Sequence, residues 1–157
     1  AYGSVDELNA HLGVARLHAA DTPGAPWLER IQNDLFDVGA DLCVPPPPED
    51  DERHRTRLRV TPEQVAWLEE RIDEINGSLP PLTSFVVPGG TALSAHLHVA
   101  RTVCRRAERD VCALAAQEPV TPEVIAYLNR LSDLLFVLAR AANGDGEATW
   151  VPGGGRD

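Results

Sequence analysis

The chain has 157 residues, a formal net charge of -10 at pH 7, 43% hydrophobic and 24% charged residues. That length supports one domain with a real core, and the acidic balance argues against a duplex nucleic acid, which needs a broad basic surface. No apolar run approaches the roughly 18 residues of a membrane span, so no membrane partner is expected, and the first residues have neither the basic start nor the apolar stretch of a signal peptide.

There is no Met, so Ala1 is expected not to be the native N-terminus. All 14 Lys-or-Arg positions are Arg, which excludes a lysine Schiff base or a P-loop lysine within these residues. The three cysteines, Cys43, Cys104 and Cys112, form no Cys-x-x-Cys pair, and Cys104 and Cys112 fall at apolar positions of predicted helices. A disulfide framework or zinc site is not expected, and a reducing cytoplasm fits best.

Five segments carry apolar residues at spacings of three and four, the helical signature. The first has Val5, Leu8, Leu12, Ala15 and Ala19, with Ser4 and Glu7 placed as a capping box. The second has Leu28, Ile31, Leu35, Val38 and Leu42, with Pro26 near its start. The third has Val65, Leu68, Ile72 and Ile75, opened by Thr61 as N-cap, Pro62 at N1 and Gln64 at N3, and stopped by Gly77. The fourth has Leu93, Leu97, Ala100, Cys104, Ala107, Val111 and Leu114. The fifth has Val124, Leu128, Leu131, Leu135, Leu138 and Ala142, opened by Thr121-Pro122 and closed by Asn143-Gly144.

No run alternates with period two, so the expectation is an all-α chain, a single-domain helical bundle over residues 1–157. Residues 44–60 read as a mobile polar loop. Residues 78–91 carry apolar side chains and are expected to pack on something. Residues 145–157 read as a Gly-rich tail containing Trp150.

The fourth helix carries Arg101, Arg105, Arg106, Glu108 and Arg109 in nine positions. Arg101, Arg105 and Arg109 recur at i, i+4 and line one drifting face. Such a row is either a solvated face with local Arg–Glu pairs or a site for an anion, since the guanidinium fork suits carboxylate and phosphate oxygens. Only Glu108 and Asp110 lie nearby in sequence to balance four cations. On the fifth helix, Asn129, Ser132 and Phe136 form a polar-plus-aromatic row beside the leucine seam, consistent with a ligand pocket, a subunit contact or a half-buried Phe. In Phe85-Val-Val-Pro-Gly-Gly-Thr91 an aromatic precedes a helix start, where N–H groups attract anions; a hydrophobic staple with a Thr cap explains the same residues. For metals, no Glu-x-x-His pair occurs, His96 and His98 do not share a helix face, and His11, His18 and His54 lack ligand-spaced partners.

Four stretches, in order, carry a resemblance: Ala1-Tyr-Gly-Ser-Val-Asp-Glu-Leu-Asn9, Phe85-Val-Val-Pro-Gly-Gly-Thr91, Ala100-Arg-Thr-Val-Cys-Arg-Arg-Ala-Glu-Arg109 and Tyr127-Leu-Asn-Arg-Leu-Ser-Asp-Leu-Leu-Phe136. With them the chain resembles the PduO-type ATP:cob(I)alamin adenosyltransferases, also called ATP:corrinoid adenosyltransferases. The resemblance implies a five-helix up-and-down, ferritin-like bundle that assembles as a homotrimer with active sites between subunits. It also implies transfer of the 5′-deoxyadenosyl group of ATP to reduced cobalamin, with Mg²⁺ and with release of triphosphate.

The implied roles follow residue by residue. Arg105, Arg106, Glu108 and Arg109 match the nucleotide-binding stretch, and Asn129 matches a nucleotide-binding Asn. Phe85 matches the aromatic that keeps the lower axial position of the cobalt unligated, and Phe136 resembles a second corrin-pocket aromatic. Arg105 and Phe85 are the residues the resemblance implies for catalysis. Asp6 and Arg101 resemble an ion pair across the subunit interface. The family's Thr-Gly-Asp-x-Gly phosphate loop and its Lys-containing stretch precede the Ala-Tyr-Gly motif and lie outside these residues, so the Mg-ATP site is expected to draw on a segment ahead of Ala1, and no residue here is assigned as a metal ligand. A cobalamin reductase and an adenosylcobalamin-dependent enzyme are the implied partners. Two alternatives stand beside this: a protein that binds and delivers adenosylcobalamin, and a structural bundle without ligand.

Overall fold

The five apolar periodicities fold as five helices: α1 (Tyr2–Arg16), α2 (Ala25–Leu42), α3 (Pro62–Asn76), α4 (Ala92–Ala115) and α5 (Pro122–Asn143), followed by one 3-10 turn, Gly144–Gly146. The computed structural model describes residues 1–20, 22, 24–46 and 57–153. Among these the one β-type pairing is an isolated antiparallel bridge between Val86 and Thr149.

Side-chain contacts fix the packing order and direction. Ser4 bonds Asp110 while His18 stacks on His96, so α1 and α4 run antiparallel. Asn9 exchanges amide–carbonyl bonds with Gln32, and Arg16 reaches Glu29, which reverses α2 against α1. Cys104 Sγ lies 3.2 Å from the Leu128 carbonyl oxygen and Thr91 reaches Ala142, which reverses α5 against α4. Gln64 bonds Asp34 and Asp37 while Trp67 meets Trp27, which reverses α3 against α2. The expected up-and-down bundle is what forms.

Its interior is aliphatic. Leu8, Leu12, Leu28, Ile31, Leu35, Leu68, Leu97, Leu128, Leu131, Leu134 and Leu135 are fully or almost fully buried, and each contributes about 2 kcal/mol by removal from water. In α3 only Leu68 is fully buried, so α3 is the outer helix. An Arg–Trp ladder holds it to α2: Arg30 lies 4.0 Å over the Trp67 ring and Arg71 lies 5.5 Å over Trp27.

Three details depart from expectation. α1 begins at Tyr2, so Ser4 and Glu7 lie inside it and face α4, not a cap. Cys112, one residue past the Val111 seam position, is exposed, whereas Cys104 is buried. The far end of the 44–60 loop is anchored: Val60 is buried, its N–H donates to Asp41, and Arg59 donates to the same carboxylate and to the Val44 carbonyl. The mobility expected of residues 47–56 lies outside the described residues. The Thr61–Gln64 capping box forms as expected, and its Gln64 amide also ties α3 to α2.

Candidate functional site

Helices α4 and α5 face each other closely enough to join their two polar rows. Arg105 Nη1 contacts Glu108 Oε2 at 2.5 Å, and Asn129 Nδ2 donates to Glu108 Oε1 at 2.9 Å. Arg130 donates to Asn129 Oδ1 and pairs with Asp133. Glu108, 9% exposed, is thus the hub of a chain Arg105–Glu108–Asn129–Arg130. One carboxylate, held between two donors, fixes both a guanidinium and a carboxamide on neighbouring helices.

Beside this hub lies a cleft of about 330 Å³ lined by Arg101, Arg105, Ser132, Asp133 and Phe136. Ser132 and Phe136, two members of the α5 row, line it, while Asn129 turns to Glu108. A second cleft of about 570 Å³ continues from Asp133 and Phe136 to Pro80, Leu82 and Arg140. The site therefore has a cationic wall on α4 and an apolar floor at Phe136.

The arginine run divides. Arg106 turns to α1 and contacts Glu7, a carboxylate 99 residues away in sequence, and it is absent from the cleft lining. Arg109 donates back to the Arg105 carbonyl at 3.0 Å. Arg101 is partly buried over the Phe136 ring, 5.9 Å from guanidinium carbon to centroid. Burial first, and then the charge of Arg105, lowers its pKa. Among the described residues Arg101 has no carboxylate partner, and Asp6, exposed on α1, has no ion pair either.

Next to Arg101 on α4 lie Ser94 and His98, with both His98 ring nitrogens and Ser94 Oγ buried without a hydrogen-bond partner among the described residues. His98 packs edge-on against Phe136, centroids 6.3 Å apart. Desolvation, and then Arg101, lowers its pKa, with Glu147 opposing. Sequence reading missed this row because Ser94 and His98 lie on the apolar side of α4.

Phe85 is elsewhere. It stands before Thr91, the α4 N-cap, and Thr91 lies about 21 Å along the helix axis from Arg105 at 1.5 Å per residue. Its ring is 77% exposed, so it is no hydrophobic staple. Two N–H groups of the helix start are engaged within the chain: Thr91 N–H donates to Asn143 Oδ1 and Ser94 N–H to Thr91 Oγ1. Asn143 also donates to the Gly89 carbonyl. Only glycine fits at 90, where φ is +94° and a Cβ would lie 2.2 Å from Asn143 Oδ1. The 78–91 loop is tied by hydrogen bonds to the end of α5 and to residues 148–150, but its apolar side chains Leu82, Phe85 and Val87 stay exposed.

Among the described residues no group of three or more His, Cys, Asp or Glu side chains converges to hold a metal, although His18 and His96, far apart in sequence, stack at 5.2 Å; His54 lies outside the described residues. No helix among the described residues is long and apolar enough to cross a membrane.

The sequence profile of the family described as cobalamin adenosyltransferase matches residues 1–142. The chain belongs to the cobalamin adenosyltransferase family. It is 50% identical over 159 aligned residues to a corrinoid adenosyltransferase of Mycobacterium tuberculosis, covering 99% of this chain and 81% of the relative. With a corrinoid adenosyltransferase of Bacillus subtilis it is 41% identical over 146 residues, covering 90% and 72%. Its fold is similar to that of a variant PduO-type ATP:corrinoid adenosyltransferase from Lactobacillus reuteri solved with cobalamin and ATP: TM-score 0.82, 40% identity, covering 94% of this chain and 81% of that one.

Proposed function

We propose that this chain transfers the 5′-deoxyadenosyl group of ATP to the cobalt of cob(I)alamin. The cobalt lone pair attacks the ribose C5′, a Co–C bond forms, and the C5′–O bond breaks, its electron pair leaving with triphosphate. The observation that carries this reading is the Glu108 hub, which fixes Arg105 and Asn129 beside a cleft floored by Phe136. Two reactants held in line react as one, and preset cations stabilise the charge of the leaving group.

The roles follow from chemistry. Arg105, half exposed, is the cation aimed where triphosphate charge develops. Arg109 adds charge on the same helix, and Asn129, already bonded to Glu108 and Arg130, keeps one amide N–H and one carbonyl lone pair for the nucleotide. Glu108, itself anionic, is a positioning residue for those two. Arg106, engaged by Glu7, is a weaker candidate for the nucleotide. Phe136 and Phe85 give apolar faces for the corrin, and Phe85 excludes the lower axial ligand. In the homotrimer that we propose, the Phe85 loop and the Arg105 hub of adjacent copies face one cofactor. In that assembly Asp6 and Arg101, neither ion-paired among the described residues, supply the two halves of an intersubunit pair.

Among the described residues no cluster of three or more His, Cys, Asp or Glu side chains offers a resident Mg²⁺ site. The setting we propose is cytoplasmic, with a reductase delivering the electron that makes Co(I). A pure carrier of adenosylcobalamin would need the apolar floor but not the cationic wall. The test is an anaerobic assay of the full natural protein with ATP and chemically reduced cobalamin, followed by absorbance. Conversion to adenosylcobalamin with triphosphate release is expected; no adenosylcobalamin under those conditions overturns the proposal.

A further inference from the structure

Trp150 belongs to a stretch that no role above has used, yet it is bonded to the Phe85 loop along its length. Trp150 N–H donates to the Phe85 carbonyl at 2.7 Å, and Val87 N–H donates to the Ala148 carbonyl at 2.9 Å, on either side of the Val86–Thr149 bridge. Ser84 Oγ donates to the Trp150 carbonyl at 2.8 Å. The Trp150 ring meets Phe85 edge to face, with centroids 6.0 Å apart and planes at 67°, a geometry that aromatic pairs favour.

Behind the bridge the stretch is locked to the bundle. Arg140 on α5, 5% exposed, donates from Nε to both carboxylate oxygens of Glu147 at 3.0 and 3.1 Å, and from Nη2 to the Pro80 carbonyl at 2.8 Å. One buried guanidinium thus fixes both ends of the unit: the entry to the Phe85 loop and the residue that leads into the bridge. Paired charge-assisted bonds of this kind set geometry as well as energy.

An exposed Phe on a loop has rotational freedom that a ligand-facing ring must lose on binding. A neighbour that restricts it beforehand lowers that cost. We propose that Trp150 is a positioning residue for adenosyl transfer, holding the Phe85 ring in the orientation from which it excludes the lower axial ligand of cobalt, with Arg140 and Glu147 anchoring Trp150 to the bundle. This rests on the reading of Phe85 given above.

The experiment uses the full natural protein with ATP and cob(II)alamin, and magnetic circular dichroism or electron paramagnetic resonance to measure the four-coordinate cob(II)alamin fraction. Trp150→Ala is expected to lower that fraction severalfold and kcat with it, with KM for ATP within about twofold of wild type; Trp150→Phe, which keeps an aromatic edge, is expected to restore most of it. Because Trp150 is 44% exposed, folding is expected to survive, and Glu147→Gln provides a second variant expected to give a smaller loss in the same direction. If Phe85→Ala abolishes the four-coordinate species while Trp150→Ala leaves it undiminished, the positioning role is wrong and the Phe85 reading stands. If Phe85→Ala leaves it undiminished, both fall. A rise in KM for ATP as large as the loss in kcat would mark Trp150 as merely structural and also overturn the role.

Discussion

The α2–α3 side of the bundle and the row on α4 that faces α5 treat buried polar groups in opposite ways. On the first side the Asp41 carboxylate takes Arg59, the Val60 N–H and the Thr121 hydroxyl, and Asp34 takes the Tyr127 hydroxyl and Gln64. The buried atoms without a partner there are the Nε atoms of Arg59 and Arg71, whose terminal nitrogens are engaged. On α4, Ser94 Oγ, both His98 nitrogens and Arg101 Nε have no partner among the described residues, and the cleft beside them carries Arg101 and Arg105. A network closed within the chain acts as scaffold. The α4 row, without protein partners among the described residues, borders the cleft that the proposed chemistry uses.

That contrast breaks first at Arg105. Arg105→Ala is expected to lower kcat/KM for adenosylation by about 10²-fold or more, the usual cost of losing one preset donor at a developing anion. Its thermal midpoint should stay close to wild type, since the side chain is 46% exposed. Unchanged turnover in the anaerobic assay would remove Arg105 from the reaction.

Asp41→Ala tests the other side. It strands Arg59, whose side chain is 15% exposed against 2% for Asp41, and frees the Val60 N–H. A loss of about 3–5 kcal/mol is expected on removing one partner of such a buried pair, read by chemical denaturation at fixed protein concentration. Turnover per folded molecule should stay near wild type. A large fall in kcat with stability intact would mean that the two sides are not separable as scaffold and site.

The helices were legible because their pattern is local. Leu128, Leu131, Leu135 and Leu138 state the α5 seam by spacing alone, and Thr61-Pro62 with Gln64 states a helix start by hydrogen-bond chemistry. What could not be read is what long-range pairing decides. Glu7 meets Arg106 across 99 residues, so the arginine run looked less neutralised than it is. Arg140 carries no signal in the local pattern of α5, and only the fold shows that it holds Glu147 and Pro80 together. Asn143 read as a stop signal, whereas its amide clamps the Phe85 loop. Asn129 and Ser132 were placed on one row by periodicity; which of them faces the cleft and which faces Glu108 depends on how α5 rotates against α4.

The smallest expected effect concerns His98 and sharpens the contrast by pH. An unfolded chain protonates this imidazole near pH 6.5, while in the fold burial and Arg101 hold its pKa lower, against the opposing pull of Glu147. Below pH 6.5 the unfolded chain therefore takes up the proton first. The stability tied to neutral His98 is complete above that value and is lost as pH falls toward the lowered folded value. His98→Phe keeps a ring against Phe136 and removes the proton. Its unfolding free energy should fall less steeply than wild type just below pH 6.5, by at most about 1.4 kcal/mol per pH unit. The other four histidines are common to both proteins, so the difference between the two curves isolates this one. Parallel curves would mean that His98 is not held neutral, and that the α4 row takes up charge as readily as an exposed surface.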